Sequence, residues 1–411
     1  MAAAPTIAPH GAWRSPITPE LITGGTVGLG ALTIAEGRVW WIESRASEGG
    51  RNVIVSARPG GEEQDVTPTE FNVRSRVHEY GGGAALAVDG TVWFVDFSDQ
   101  RVYEQRAGEA PRALTGAGPW RYADFCLDRR RNRLICVRET ARDTGEPANE
   151  LIAIGLSDGA VSVIDDGHDF VASAVLNADG SELAWLAWDH PNMPWDGTVL
   201  RLAALAEDGS VYDVGDVAGG PSESVFQPAF GPDGALCFVS DRSGWWNLYR
   251  AGGADGDEAL CPMAAEFGLP QWVFGMSTWG FAADGRIVAA CIADGVSRLG
   301  VVADGGFTPF EMPYDAIRDV AVAGNAVLFV GASARIASTL VRLDLADGSL
   351  HPVKSASRVP VDGGYLSVPR PIAFPSSGGA TAHAFYYPPR NRDFQAPADE
   401  KPPLLVRGHG G

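Results

Sequence analysis

One pattern repeats along most of this chain, and it leaves few folds open. An apolar strand, a tight turn at Gly or Asn, a second apolar or aromatic strand, a polar turn and a further strand recur seven times from Ala31 onward. The inner turns fall at Gly37, Gly90, Asn132, Gly180, Gly234, Gly285 and Asn325, about 40 to 54 residues apart. Gln227 to Arg250, QPAFGPDGALCFVSDRSGWWNLYR, is the cleanest copy. Pro presets φ at one turn position and Gly accepts positive φ at another. A lone hairpin of this kind is marginally stable in water, so each copy needs the others. Roughly four strands per unit at this period predict an all-β fold, a seven-bladed β-propeller over residues 31–357.

The ends of the chain do not follow the repeat. Residues 1–30 form a leader whose Thr18 to Ile22 segment suits one helical turn. In residues 358–411, Tyr365 to Phe374 and Thr381 to Tyr387 read as strands around a turn at Ser376-Ser377-Gly378-Gly379. Pro403 to Arg407 (PLLVR) reads as a short buried strand, followed by Gly408-His409-Gly410-Gly411.

Composition removes several classes of function. A net charge of −19 argues against nucleic acid, whose phosphates need clustered Lys and Arg. Arg129-Arg130-Arg131 falls at a predicted turn and is expected to be solvated. Five cysteines without CxxC spacing are expected to be buried free thiols in a reducing compartment. No run of ~18 uncharged apolar residues is present to span a membrane, and the N-terminus lacks a signal peptide's basic start and apolar core. A cytoplasmic protein with no membrane partner is the expectation. The seven histidines are scattered and no pair has metal-ligand spacing, so neither metal nor cofactor is expected. Asp189, Asn192 and Asp196 lack the spacing of a calcium loop.

Three stretches are too particular to be blade turns: RSRVHEYGGG (74–83), DHPNMPWDG (189–197) and EFGLPQWVFG (266–275). They are the candidates for a substrate chamber. Arg76 or Glu79 would meet a peptide terminus, His78 and Tyr80 would stand beside them, and Trp195 or Trp272 would take an apolar side chain. The alternative is inter-blade packing with internally paired charges. A nucleophile elbow G-x-S-x-G is absent; the nearest miss surrounds Ser277, which is expected to be a loop or strand serine.

RSRVHEYGGG, AWLAWDHPNMPWDGT, PDGALCFVSDRSGWWNLYR, AEFGLPQWVFG, TAHAFYYPP and PPLLVRGHGG together resemble the prolyl oligopeptidase family of serine peptidases. The branch is that of dipeptidyl aminopeptidases and acylaminoacyl peptidases, and the resemblance runs from Trp13 onward. It implies a propeller capping an α/β-hydrolase domain that starts within residues 358–411. By the family pattern His409, Gly410 and Gly411 match the oxyanion loop, and the Ser, Asp and His of the triad have no counterpart here. The implied chain is the N-terminal part of a peptidase acting on short peptides, inactive without its hydrolase domain. The other reading is a stand-alone propeller that binds peptides or proteins.

Overall fold

Each of the seven inner turns joins two antiparallel strands in the computed structural model, which describes residues 4–253, 256–357 and 361–408. Glycine or asparagine is needed there for a concrete reason: Gly37 sits at φ 67°, Gly234 at 82° and Asn132 at 51°. Four strands follow one another in chain order within each of seven sheets, spanning 27–65, 85–113, 120–165, 170–219, 225–259, 279–309 and 316–355. These are blades 1 to 7. Blade 1 opens at Val27, four residues before the expected start of the repeat.

The second strand of each blade is an uninterrupted apolar run because both of its faces are covered. Trp41 packs toward blade 7 and Trp40 toward blade 2; Phe94 faces blade 1 and Trp93 faces blade 3. The same alternation continues around the ring, so each pair of adjacent blades shares one buried cluster. Among the described residues no strand is exchanged between blades 7 and 1. Their seam is closed by Leu328, Val330 and Leu340 against Val39, Trp41 and Val53. Val27 N–H donates to the Ala356 carbonyl at 2.9 Å, and Lys354 Nζ lies 3.2 Å from Glu43 Oε1.

Near the axis the innermost strands bulge, at Ala31, Asp124, Ser173, Gln227 and Asp319, all at positive φ. A bulge frees backbone groups from the ladder, and here they stitch neighbouring blades. Ser173 N–H donates to Asp124 Oδ2 and Asp124 N–H to the Gly83 carbonyl, while the Gln227 side chain accepts from Thr278 N–H and donates to the Trp279 carbonyl of the next blade.

The basic triplet departs from expectation. The turn is there, but Arg131 is buried: its guanidinium donates to Asp128 and to the carbonyls of Gly180, Leu205 and Ala206. Only Arg129 and Arg130 stand exposed, paired with Asp89 and Glu207. Four of the five cysteines are buried and all five are free thiols.

Outside the ring, the helical turn Pro19–Thr23 is capped by the Thr18 side chain on Leu21 N–H. Thr6–Ile7 pairs in parallel with Phe394–Gln395, and Asn391 Nδ2 donates to the Arg14 carbonyl. The leader thus holds the C-terminal segment rather than a blade. Arg370–Pro375 and Thr381–Tyr386 form the expected hairpin. Pro403 to Arg407 is neither a strand nor buried: Leu405 is 92% exposed, and no strand among the described residues lies beside it to take its backbone bonds. Among the described residues no helix is long and apolar enough to cross a membrane.

Candidate functional site

In a four-stranded meander, the links between blades and the turns between second and third strands emerge on the same face of the ring. All three particular stretches belong to this set. Residues 74–83 link blades 1 and 2, residues 266–275 link blades 5 and 6, and residues 189–197 turn between strands Glu182–Trp188 and Val199–Leu205 of blade 4. The C-terminal hairpin reaches the same face, since the Phe385 ring lies against Gly295 in the corresponding turn of blade 6.

The three stretches converge on one cavity of about 350 Å³, within the range of small-molecule sites. His78, Glu79 and Tyr80 come from the first, Trp195 from the second and Trp272 and Phe274 from the third. Trp195 and Trp272 have ring centroids 4.3 Å apart, and Tyr80 is 6.0 Å from Trp272. Deeper in, Phe170 stacks on Trp188 at 5.3 Å, with His78 4.9 Å from Phe274. Tyr80 is 65% and Trp272 48% exposed, so large rings face solvent at the mouth. The wall can take an apolar or aromatic group through ring contacts.

The first stretch is held under strain. His78 and Glu79 sit at φ 53° and 65°, a conformation costly for residues with a Cβ. Fixed bonds offset that cost. His78 N–H donates to Glu139 Oε2 at 2.8 Å, and its ring Nε2 lies 3.2 Å from Asn149 Oδ1. Arg121 Nη1 bridges Glu139 at 2.8 Å, Glu79 at 3.0 Å and the Arg76 carbonyl at 3.2 Å. Gly81 to Gly83 then cross the link between blades 5 and 6: Phe274 N–H donates to the Gly81 carbonyl at 3.0 Å, and Gly82 pairs with Phe274. This crossing joins loops that originate on distant sides of the ring.

Of the sequence candidates, Arg76 is not in the cavity. It turns onto Phe97, 4.6 Å above the ring, and donates to the Phe97 carbonyl. His409, Gly410 and Gly411 lie outside the described residues. Ser277 is a loop serine whose Oγ donates to the Val320 carbonyl. Asp189, Asn192 and Asp196 each have a separate partner, in His168, the Pro221 carbonyl and Met193 N–H.

Sequence reasoning passed over Glu139, Asn149, Phe170, Trp188 and His190. A signal was present in His168-Asp169-Phe170 and Trp188-Asp189-His190, which mirror each other. In antiparallel register Phe170 faces Trp188, His168 Nδ1 meets Asp189 and His190 Nδ1 meets Asp169, both at 2.9 Å.

Two partly buried groups, His78 in the aromatic cavity and Asp124 at the bulge of blade 3, respond to pH in opposite directions. Burial lowers the His78 pKa to about 4, against the bond from Asn149. Below roughly pH 6.5 only the unfolded chain takes up this proton, so stability falls between about pH 6.5 and 4. Burial raises Asp124 to about 6, against the Ser173 N–H bond. The folded chain therefore takes up that proton first, and its contribution rises across much the same window. In urea unfolding from pH 8 to 4, His78→Gln should gain relative to the parent on acidification. Asp124→Asn should gain at pH 8 and lose that advantage below pH 5. Each difference is up to about 3 kcal/mol, and pH profiles parallel to the parent would show that neither group is buried as described.

A seven-bladed ring thus gathers an aromatic cavity and a further hairpin on one face. No family model matches the chain, and no curated protein matches it. Solved structures do. A puromycin-hydrolysing peptidase of Mycobacterium tuberculosis aligns over 97% of this chain and 64% of its own, at 32% identity and TM-score 0.90. A puromycin hydrolase in complex with PGG aligns over 98% of this chain and 65% of its own, at 35% identity and TM-score 0.90. A prolyl endopeptidase shares the fold at 12% identity and TM-score 0.67, over 88% of this chain and 54% of its own. In sequence and fold the chain is similar to the two puromycin-hydrolysing peptidases, and in fold alone to the prolyl endopeptidase. It spans a little under two thirds of the two puromycin-hydrolysing structures, at 64% and 65%.

Proposed function

We propose that this chain is the substrate-facing part of a cytoplasmic serine peptidase that hydrolyses short peptides and aminoacyl amides, of the aminopeptidase or acylaminoacyl-peptidase type. The observation that carries the reading is the convergence of three separate loops on one aromatic cavity, on the face that the hairpin of Arg370–Pro375 and Thr381–Tyr386 also reaches through Phe385. A substrate side chain would lie against Trp195 and Trp272, with its amino terminus near Glu79. Residues 358–411 would begin the hydrolase domain, and His409, Gly410 and Gly411 would lend backbone N–H groups to the oxyanion. The attacking Ser, assisted by His, would come from sequence beyond this chain. Ring and crossing together would limit the chamber to short ligands. Puromycin, an amide on which the two similar peptidases act, is the first substrate to try.

The test compares this chain with the reading frame extended past Gly411, on phenylalanyl arylamide and puromycin. The extended protein should turn both over and lose activity to a serine-directed phosphonate; the 411-residue chain should turn over neither. Phosphonate-sensitive turnover by the 411-residue chain, or an extension without hydrolase activity, contradicts the proposal. The second outcome would leave a stand-alone binding propeller.

A further inference from the structure

A second cavity, of about 490 Å³, lies on the other side of the crossing. Tyr80, Val273 and Phe274 line both cavities, so the crossing is a ridge between two compartments. Their charges differ. The aromatic cavity carries Glu79, Glu139 and Glu146 beside the imidazoles of His78 and His190 and has no Lys or Arg in its lining, although Arg121 pairs with Glu79 and Glu139 from behind. The second cavity carries Arg74 in its wall.

Arg74 has Arg76 for a neighbour, and the two share one ring. Their guanidinium carbons lie 5.0 Å and 4.6 Å from the Phe97 centroid. Neither forms an ion pair among the described residues, and Arg76 Nε is buried with no partner. The nearby carboxylates are committed elsewhere. Asp96 accepts from Asn72 N–H and the Ser98 hydroxyl, and Asp99 from the Tyr103 hydroxyl and Arg101 N–H. Two like charges held against one ring, in a chain of net charge −19, leave a vacancy for an anion. The depth of the cavity is closed to one, because Asp124 and Asp319 stand in its lining, with Asp319 on Arg318. An anion is thereby confined to the rim beside Arg74.

Resting on the reading of the aromatic cavity as a substrate chamber, we propose that Arg74 and Arg76 form a carboxylate subsite. It takes the free C-terminus of a short peptide whose amino-terminal residue occupies the aromatic cavity. The ridge then lies beneath the peptide, and the opposite charges on its two sides fix the direction of binding. The class of ligand is a zwitterionic peptide a few residues long.

Phe-Gly-Gly and its C-terminal amide, titrated into the 411-residue chain at low ionic strength, test this through tryptophan fluorescence. The acid should bind about tenfold more tightly than the amide. Arg74→Gln and Arg76→Gln should each shrink that ratio while leaving the amide unchanged. Arg74 is exposed, so its variant keeps the fold even if the Arg76 variant does not. Equal affinity for acid and amide, or a ratio that survives Arg74→Gln, overturns the subsite and leaves the pair to a contact between protein segments. Binding of neither peptide is a different failure, and it removes the chamber itself.

Discussion

Gly82→Ala is expected to cost about 3 kcal/mol or more and to dismantle the aromatic cavity with it. Gly82 sits at φ 88°, and a Cβ there would stand 2.3 Å from the Phe274 carbonyl oxygen and 2.9 Å from Val273 Cβ. Both neighbours belong to the opposite loop, so neither can yield without opening the crossing. His78 to Tyr80 lead straight into Gly81, and the left-handed backbone of His78 and Glu79 depends on the same anchor. Gly244→Ala is the control. It has positive φ of 81° but open space around the added methyl, so it should pay strain alone, about 1 kcal/mol. Denaturant midpoints for the two variants should therefore separate clearly, and near-equal midpoints would show that the crossing is not a tight contact.

Asp128→Ala should be as damaging from within the ring, by about 3 to 5 kcal/mol. Asp128 is fully buried, with Arg133 Nε at 2.9 Å and Arg131 Nη1 at 3.2 Å. Both guanidiniums are themselves nearly buried, so removing the carboxylate leaves two charges without a counterion. Arg130→Ala, one residue from Arg131, removes only an exposed pair with Glu207 and should fall within about 0.5 kcal/mol of the parent. Urea unfolding distinguishes the two. A mild Asp128 variant would mean that water reaches these arginines.

The seven blades were legible because each carries its own turn chemistry and its own doubly covered apolar strand. Such signals are local. What escaped was set by distant pairings. Thr6–Ile7 is two residues long and finds its partner at Phe394–Gln395, which no period announces. PLLVR has the composition of a buried strand, but composition does not supply a neighbour. The site follows the same division. The three particular stretches were visible as departures from the repeat, and their meeting in one cavity depends on how the ring brings remote links together. Arg76 looked equivalent to Glu79 in sequence; alternation along the loop sends it to Phe97 instead. Phe170 and Trp188 read as ordinary strand ends until antiparallel register sets them face to face.

The central claim is that the aromatic cavity is a ligand chamber, and titration of puromycin into the 411-residue chain tests it directly. Tryptophan fluorescence should report one saturable site, weakened about tenfold or more by Trp195→Ala combined with Trp272→Ala, since rings of this size at a binding surface are each worth a kcal/mol or more. Trp272 is half exposed but Trp195 packs partly on the core between blades 5 and 6, so the double variant should unfold at a somewhat lower urea concentration than the parent while keeping one cooperative transition. Absence of saturable binding, or binding that the double variant leaves unchanged, would contradict it.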